Sequence, residues 1–428
     1  MSSLDSECFK CKEHPAAGIT LRKCASCLTA RYCSNDVCQR AHWPDHKHVC
    51  KSLGEARKAA VEPLMKAARD GDAAAVTRLL RAGTSVRAGK VLDAGITPLY
   101  AASQAGHTAI VVLLLEAGAK VDATQVEGVS ALFTAAESGH AAVVAVLLEA
   151  GAEVDLSTKK DGTRCTPMLV AAERGHVAVL AALLAAGAQV DKSRNDGQTP
   201  LVAAAMNGHE DVLTALLEAG ANVNRAAGGE TPLLWAIDKG HLAAVKALLG
   251  AGARADIAIA NGGYTPLFLA AQRGHVEMLK LLIDSPGSEV NRASDTRTTP
   301  LCISSQEGHQ GVVKALLEAG ALVSSACDDG ATALFMASKR GHVAVVTTLL
   351  RAGADIHGAR NDGVTALMMS ALEGHLAVVK VLLRAGARIN QAAYNGCTPL
   401  SLAAEEGHRE VVAALLEAGA YCPIRPPR

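Results

Sequence analysis

The pair Gly-His recurs ten times, at Gly106, Gly139, Gly175, Gly208, Gly240, Gly274, Gly308, Gly341, Gly374 and Gly407. Successive pairs lie 32 to 36 residues apart, most often 33. Nothing else in the chain limits its fold as severely. A unit of this length cannot enclose a core of its own. It buries its apolar face only by stacking on copies of itself, so the period implies a solenoid.

A second mark precedes each pair. It is Thr-Pro-Leu starting at Thr97, Thr199, Thr231, Thr265, Thr299 and Thr398, Thr-Pro-Met at Thr166, and Ser/Thr-Ala-Leu at Ser130, Thr332 and Thr365. The Thr or Ser oxygen can accept a backbone N–H at a helix start. Pro in the first helical position gives up no needed donor. A short Leu/Ala run follows, and glycine then permits the left-handed turn that ends this first helix. The histidine opens a second helix, as over 177–186, with a Leu-Leu pair on its buried face; a further glycine such as Gly187 or Gly220 ends it. Segments such as 188–191 and 195–197 read as an extended arm and a tight turn, together a hairpin loop. The expected fold is therefore mainly α: helix, turn, helix, hairpin loop. Aromatic residues make up only 3% of the chain, so packing relies on Ala, Leu and Val.

These marks resemble the ankyrin repeat, an α-solenoid whose unit carries Thr-Pro-Leu-His and Gly-His. Ten copies are clear. An eleventh, starting near Glu62-Pro63-Leu64, has Gly71-Asp72 in place of Gly-His and more charge (Lys66, Arg69, Asp70, Arg78), as an end cap should. The block of about 11 repeats is placed at 61–420. One departure is systematic: the family's His after Thr-Pro-Leu is replaced by Tyr100, Phe133, Leu169, Val202, Leu234, Phe268, Cys302, Phe335, Met368 or Ser401. Apolar packing is expected to substitute, except at Ser401. The ten repeat histidines are read as structural, each capping and tying a turn. Layers near 10 Å apart cannot share a zinc ion whose ligands lie within about 2.1 Å. Irregularities at 155–164 and at Pro286-Gly287 fall in loops, where insertion costs little.

The first 50 residues carry different chemistry: Cys8-x2-Cys11, Cys24-x2-Cys27, Cys33-x4-Cys38 and His46-x3-Cys50, with seven of the chain's twelve cysteines. A Cys-x2-Cys pair places two thiolates on one tight turn, as a zinc tetrahedron requires. Eight ligands are what two closed sites need, so two zinc ions are expected, and a stretch this short relies on metal for its stability. The run Cys38-Gln39-Arg40-Ala41-His42-Trp43 followed by His46-x3-Cys50 resembles the MYND-type zinc finger, placed at 8–50. The resemblance implies interleaved sites: Cys8, Cys11, Cys33 and Cys38 on one ion, Cys24, Cys27, His46 and Cys50 on the other. The family usually has three residues between its fifth and sixth ligands, and here there are four between Cys33 and Cys38. A bulge restores the geometry, or Asp36 or His42 takes the place of Cys38; Cys38 is the assigned ligand. Closed sites are structural rather than hydrolytic. Gln39 and Trp43, four apart on an expected helix, occupy positions that in MYND relatives help grip proline-containing peptides of the Pro-x-Leu-x-Pro type. The alternative is that Trp43 merely roofs the zinc core.

Composition narrows the partners. Charge is balanced, 42 basic against 42 acidic residues, which argues against nucleic acid or an anionic membrane surface. No secretory signal is visible in residues 1–30, and no apolar run reaches the roughly 18 residues of a membrane helix. Cys165, Cys302, Cys327, Cys397 and Cys422 are scattered singles, which suits a reducing compartment. An intracellular protein, cytoplasmic, nuclear or both, and a monomer, is expected. P-loop, Gly-x-Ser-x-Gly and protein-kinase signatures are absent from the sequence. The expectation is a non-catalytic adaptor: finger 8–50, a helix-compatible linker 51–60 that restricts orientation, the repeats, and a tail 421–428. The competing reading is a subunit or substrate adaptor of a methyltransferase or ubiquitin ligase. Partner-reading candidates are the residue pairs before each turn glycine, from Gln104-Ala105 to Glu405-Glu406, with Trp235, Tyr264 and Tyr394 as aromatic anchors.

Overall fold

The computed structural model describes residues 22–23, 31–32, 61–86, 95–158 and 162–421. The chain divides into two compact units, Met1–Asn195 and Asp196–Arg428. The first contains β1 (Arg22–Lys23) and β2 (Arg31–Tyr32), paired antiparallel with Arg22 opposite Tyr32 and Lys23 opposite Arg31. Its helices are α1 (61–70), α2 (Ala73–Arg81), α3 (Pro98–Ala105), α4 (Thr108–Glu116), α5 (Ala131–Glu137), α6 (Ala141–Glu149), α7 (Pro167–Arg174) and α8 (Val177–Ala185). The second unit contains α9 (Pro200–Asn207), α10 (Glu210–Glu218), α11 (Pro232–Asp238), α12 (Leu242–Gly250), α13 (Pro266–Arg273), α14 (Val276–Ile283) and α15 (Pro300–Gln306). It continues with α16 (Gln310–Glu318), α17 (Ala333–Lys339), α18 (Val343–Arg351), α19 (Ala366–Leu372), α20 (Leu376–Arg384), α21 (Pro399–Glu405) and α22 (Arg409–Glu417).

One repeat shows the local logic. The Thr299 hydroxyl accepts the Cys302 N–H at 3.2 Å, and Pro300 takes the first position of α15. The helix stops because Gly308 turns left-handed at φ 80°, where a Cβ would be strained. In α16 the buried residues Val312, Val313, Ala315 and Leu316 form the inward stripe. It closes with the 6→1 and 5→2 pattern, Ala321 N–H to the Leu316 carbonyl at 2.9 Å and Gly320 N–H to Leu317 at 3.1 Å. The first helices carry most of the core: Pro266 through Ala271 are all buried in α13, whereas α18 buries only Val345, Val346 and Leu349. Small alanines on the first helices allow that close packing.

The residue in place of the family's histidine is apolar and buried at Phe133, Leu169, Val202, Leu234, Phe268, Phe335 and Met368. At Ser401 a reciprocal capping box replaces packing: Thr398 accepts the Ser401 N–H while the Ser401 oxygen accepts the Thr398 N–H at 2.8 Å. The end-cap expectation fits as well. Lys66, Arg69 and Asp70 are exposed, and α2 buries only Val76.

Among the described residues the hairpin loops contain turns and isolated bridges, such as Ala326 with Thr332 and Ala359 with Thr365, rather than strands. Their arms are too short for a ladder. Neighbouring tips share single backbone bonds instead, Asn361 N–H to Asp329 at 2.8 Å and Tyr394 N–H to Asp362 at 3.0 Å. A second tie runs through loop asparagines: the Asn291 side chain accepts the Leu322 N–H at 2.8 Å, one repeat on.

Candidate interaction surfaces

The repeat histidines begin the second helices, yet where their caps are described none caps its own helix through the side chain. The expected cap is thus a tie of a different kind. The ring reaches back to the preceding repeat, where Nε2–H donates to a carbonyl in the last turn of the first helix. His342 donates to Gln306 at 2.9 Å, His375 to Lys339 at 2.9 Å and His408 to Leu372 at 2.8 Å. In the first unit His140 does the same with Gln104 at 3.1 Å. The ring also occupies the room a side chain would need at the preceding glycine: a Cβ on Gly308 would stand 2.6 Å from His342, and one on Gly374 2.6 Å from His408. Both of these glycines therefore serve two needs, a left-handed backbone and a face for the next ring, whereas nothing lies within 4 Å of a Cβ on Gly407. His275 departs from the pattern, its Nε2 buried without a hydrogen bond of normal geometry. Burial, with the positive charges of Arg273 and His309, lowers its pKa.

The carbonyls that accept these bonds belong to residues proposed from sequence as partner-reading. Their backbone is fixed by histidine while their side chains differ from repeat to repeat. In most pairs the first member (Glu137, Met206, Asp238, Gln272, Gln306, Lys339, Leu372) is half-buried and the second exposed, whereas at Gln104-Ala105 the order is reversed. Full exposure of both residues, expected from sequence, is found at Glu405-Glu406.

Charge concentrates around α11 and α13. Arg273 donates to Asp238 Oδ1 through Nε at 3.0 Å and Nη2 at 2.6 Å, and Lys239 lies 3.0 Å from Asp238 Oδ2. Burial pushes the Asp238 carboxyl up, but hydrogen bonds from Lys239 and Arg273 outweigh it and hold the group below its usual range. Burial and the Asp238 charge raise Glu230. Trp235 is half-buried, with Lys239 Nζ 5.5 Å from its ring centroid and its indole Nε1 buried without a partner. Tyr264 stacks on Phe268 at 4.8 Å, so it is half core. Tyr394, 84% exposed, is the most open of the three aromatic candidates.

In the sequence the late cysteines are scattered singles. The fold makes neighbours of two of them, Cys302 and Cys327: Cys302 Sγ lies 3.6 Å from the carbonyl of Ser325, two residues before Cys327, and each thiol perturbs the other's pKa. Their separation of 25 positions in sequence hides this, because only the loop geometry of a repeat brings them together.

The proposed zinc ligands Cys8, Cys11, Cys24, Cys27, Cys33, Cys38, His46 and Cys50, and the peptide-contact candidates Gln39 and Trp43, lie outside the described residues. Within the finger the description covers β1 and β2. Their antiparallel register has the chain leave the two strands at opposite ends of the ladder, β1 just before Cys24 and β2 just before Cys33. No helix among the described residues is long and apolar enough to cross a membrane.

Comparison with known families defines the class. The ankyrin-repeat model matches residues 64–159, 155–227, 225–294, 286–359 and 353–425, and the MYND finger model matches 8–50. The chain belongs to the ankyrin-repeat family and carries a MYND finger, a zinc-binding domain. Both are protein-interaction domains. No curated protein matches the chain.

Proposed function

We propose that this protein is a non-catalytic intracellular adaptor. It holds one protein partner on the repeat surface and an extended proline-containing peptide on the finger. The observation that carries this reading is the separation of frame from surface in the repeats. Histidine ties such as His342 to Gln306 fix the backbone, while the side chains at the same positions run through Gln272-Arg273, Gln306-Glu307, Lys339-Arg340 and Leu372-Glu373. A stiff scaffold with variable contacts limits the entropy lost on binding.

The finger's donor set, seven thiolates and one imidazole, suits zinc, a borderline-soft ion with no geometric demand beyond the tetrahedron. Two ions are assigned, Cys8, Cys11, Cys33 and Cys38 on one and Cys24, Cys27, His46 and Cys50 on the other. This partition follows the interleaved ligand order of the MYND finger, whose model matches residues 8–50. The ligand segment 8–50, linker 51–60, stack 61–420 and tail 421–428 are kept as the domain plan. Trp43 supplies an aromatic platform and Gln39 an amide, a combination suited to a polyproline-like strand that has little entropy to lose.

Titration calorimetry of the full chain with a Pro-x-Leu-x-Pro peptide tests the finger's part. Wild-type protein should bind, and Trp43→Ala should weaken binding at least about tenfold, or ~1.4 kcal/mol, at unchanged zinc content. Equal binding by both proteins would remove Trp43 from the site.

A further inference from the structure

Cys302 and Cys327 meet because of repeat geometry. Cys302 lies three residues after its helix-capping Thr299, and Cys327 lies five residues before the next one, Thr332. The same two positions one repeat on are Phe335 and Arg360, and there the Arg360 guanidinium lies 5.7 Å from the Phe335 ring centroid. The fold thus brings these two positions together, and in one repeat both are cysteine.

The local contacts are reciprocal. Cys302 Sγ lies 3.6 Å from the carbonyl of Ser325, two residues before Cys327. Cys327 Sγ lies 3.5 Å from the hydroxyl of Thr298, beside the Thr299 that caps the Cys302 N–H. Cys302 is buried, 1% exposed, whereas Cys327 is half-buried in a loop. Cys327 is therefore the more accessible residue of the two and Cys302 the enclosed one.

We propose that Cys302 and Cys327 form a hydroperoxide-sensitive modification site, in which Cys327 is oxidised first and Cys302 resolves it to an intramolecular disulfide. In the first step the Cys327 thiolate attacks one peroxide oxygen. The S–O bond forms, the O–O bond breaks, and hydroxide leaves with the electron pair and is protonated to water. Sulfur is oxidised by two electrons to the sulfenic acid. In the second step Cys302 gives up its proton and its sulfur attacks Cys327. The S–S bond forms, the S–O bond breaks, and the departing hydroxide takes up a proton as a second water.

The division of roles follows from the surroundings. The neighbouring Cys302 thiol, then the hydrogen bond with Thr298, lowers the Cys327 pKa against the opposing effects of burial and of the Asp329 and Asp328 carboxylates. Arg360 lies 3.8 Å from Asp329 and Arg297 lies 3.9 Å from Asp328, which offsets those two charges. The Cys327 thiol and burial both raise Cys302, so it stays a thiol until its partner is oxidised. The thiolate is the nucleophile in such chemistry. This proposal does not rest on the adaptor reading.

Full-length protein treated with hydrogen peroxide, blocked with N-ethylmaleimide and digested with trypsin without reduction provides the test. Cleavage after Lys314 puts the two cysteines in peptides 298–314 and 315–339, neither of which holds another cysteine. We expect these peptides to appear as a linked pair that dithiothreitol separates. In Cys302→Ala, dimedone should label Cys327 instead, because the sulfenic acid then has no resolving thiol. Absence of the linked pair in peroxide-treated wild-type protein overturns the proposal. Linkage of Cys327 chiefly to a cysteine other than Cys302 overturns it equally. Both readings come from wild-type protein, so the outcome does not depend on the variant folding.

Discussion

Gly-His is a pair split between two repeats. The histidine of one repeat lies against the glycine of the repeat before it, so neither residue is explained by its own unit. Gly308 and Gly320 separate the two demands on glycine. Both have left-handed φ, 80° and 85°, but His342 would lie 2.6 Å from a Cβ on Gly308, while nothing lies within 4 Å of one on Gly320. Gly320→Ala should cost about 1 kcal/mol from backbone strain alone, and Gly308→Ala at least about 2 kcal/mol, because a ring must move as well. Equal losses in urea unfolding would mean that the ring does not press on the glycine. His342→Ala should cost about 1–2 kcal/mol through the lost bond and packing, seen as faster hydrogen exchange in α15 to α18. Asp362 gives a pH signature. Hydrogen bonding from Arg360, against a small burial effect, holds its carboxyl at about 2, below the ordinary 3.8. Its contribution is therefore complete above the unfolded value and disappears as pH falls from about 4 toward 2. Asp362→Asn should flatten the stability profile in that window; an unchanged profile would show the ion pair to be without effect.

Helices and loops differ in how openly the sequence declared them. Helix starts were legible because Thr or Ser followed by Pro or Ala is a local signal, and Thr365 does accept the Met368 N–H, at 3.3 Å. Thr365→Ala should cost about 1 kcal/mol. Ser401→Ala removes only the Ser401 half of the capping box, the bond from the Thr398 N–H at 2.8 Å, so it should cost less than Thr365→Ala. Chemical denaturation of the two variants checks the order, and a larger loss for Ser401→Ala would contradict it. The loops were less legible. Segments such as 188–191 and 195–197 read as hairpin arms and turns, but single bonds between tips, such as Tyr394 N–H to Asp362 at 3.0 Å, take the place of ladders. The meeting of Cys302 with Cys327 was hidden for a related reason. It depends on where a loop folds back over a helix, which no local pattern records.

The whole molecule was legible wherever a signal repeats. Ten copies of one pattern constrain a fold far better than any single motif, because each copy must stack on the next. The interaction surface was less legible, since exposure depends on packing. The half-burial of Trp235 and the stacking of Tyr264 on Phe268 come from neighbours that periodicity does not identify. On the proposed ligation the finger draws its stability from metal, whereas the repeats draw theirs from apolar stacking. A chelator should therefore remove the finger's fold and leave the helices intact, and Cys24→Ser should do the same. Native mass spectrometry of the full chain, paired with circular dichroism before and after chelation, tests this most directly. We predict two zinc ions per chain and a helical signal that survives their removal; a chain without zinc, or one whose helices melt when zinc is withdrawn, would contradict it.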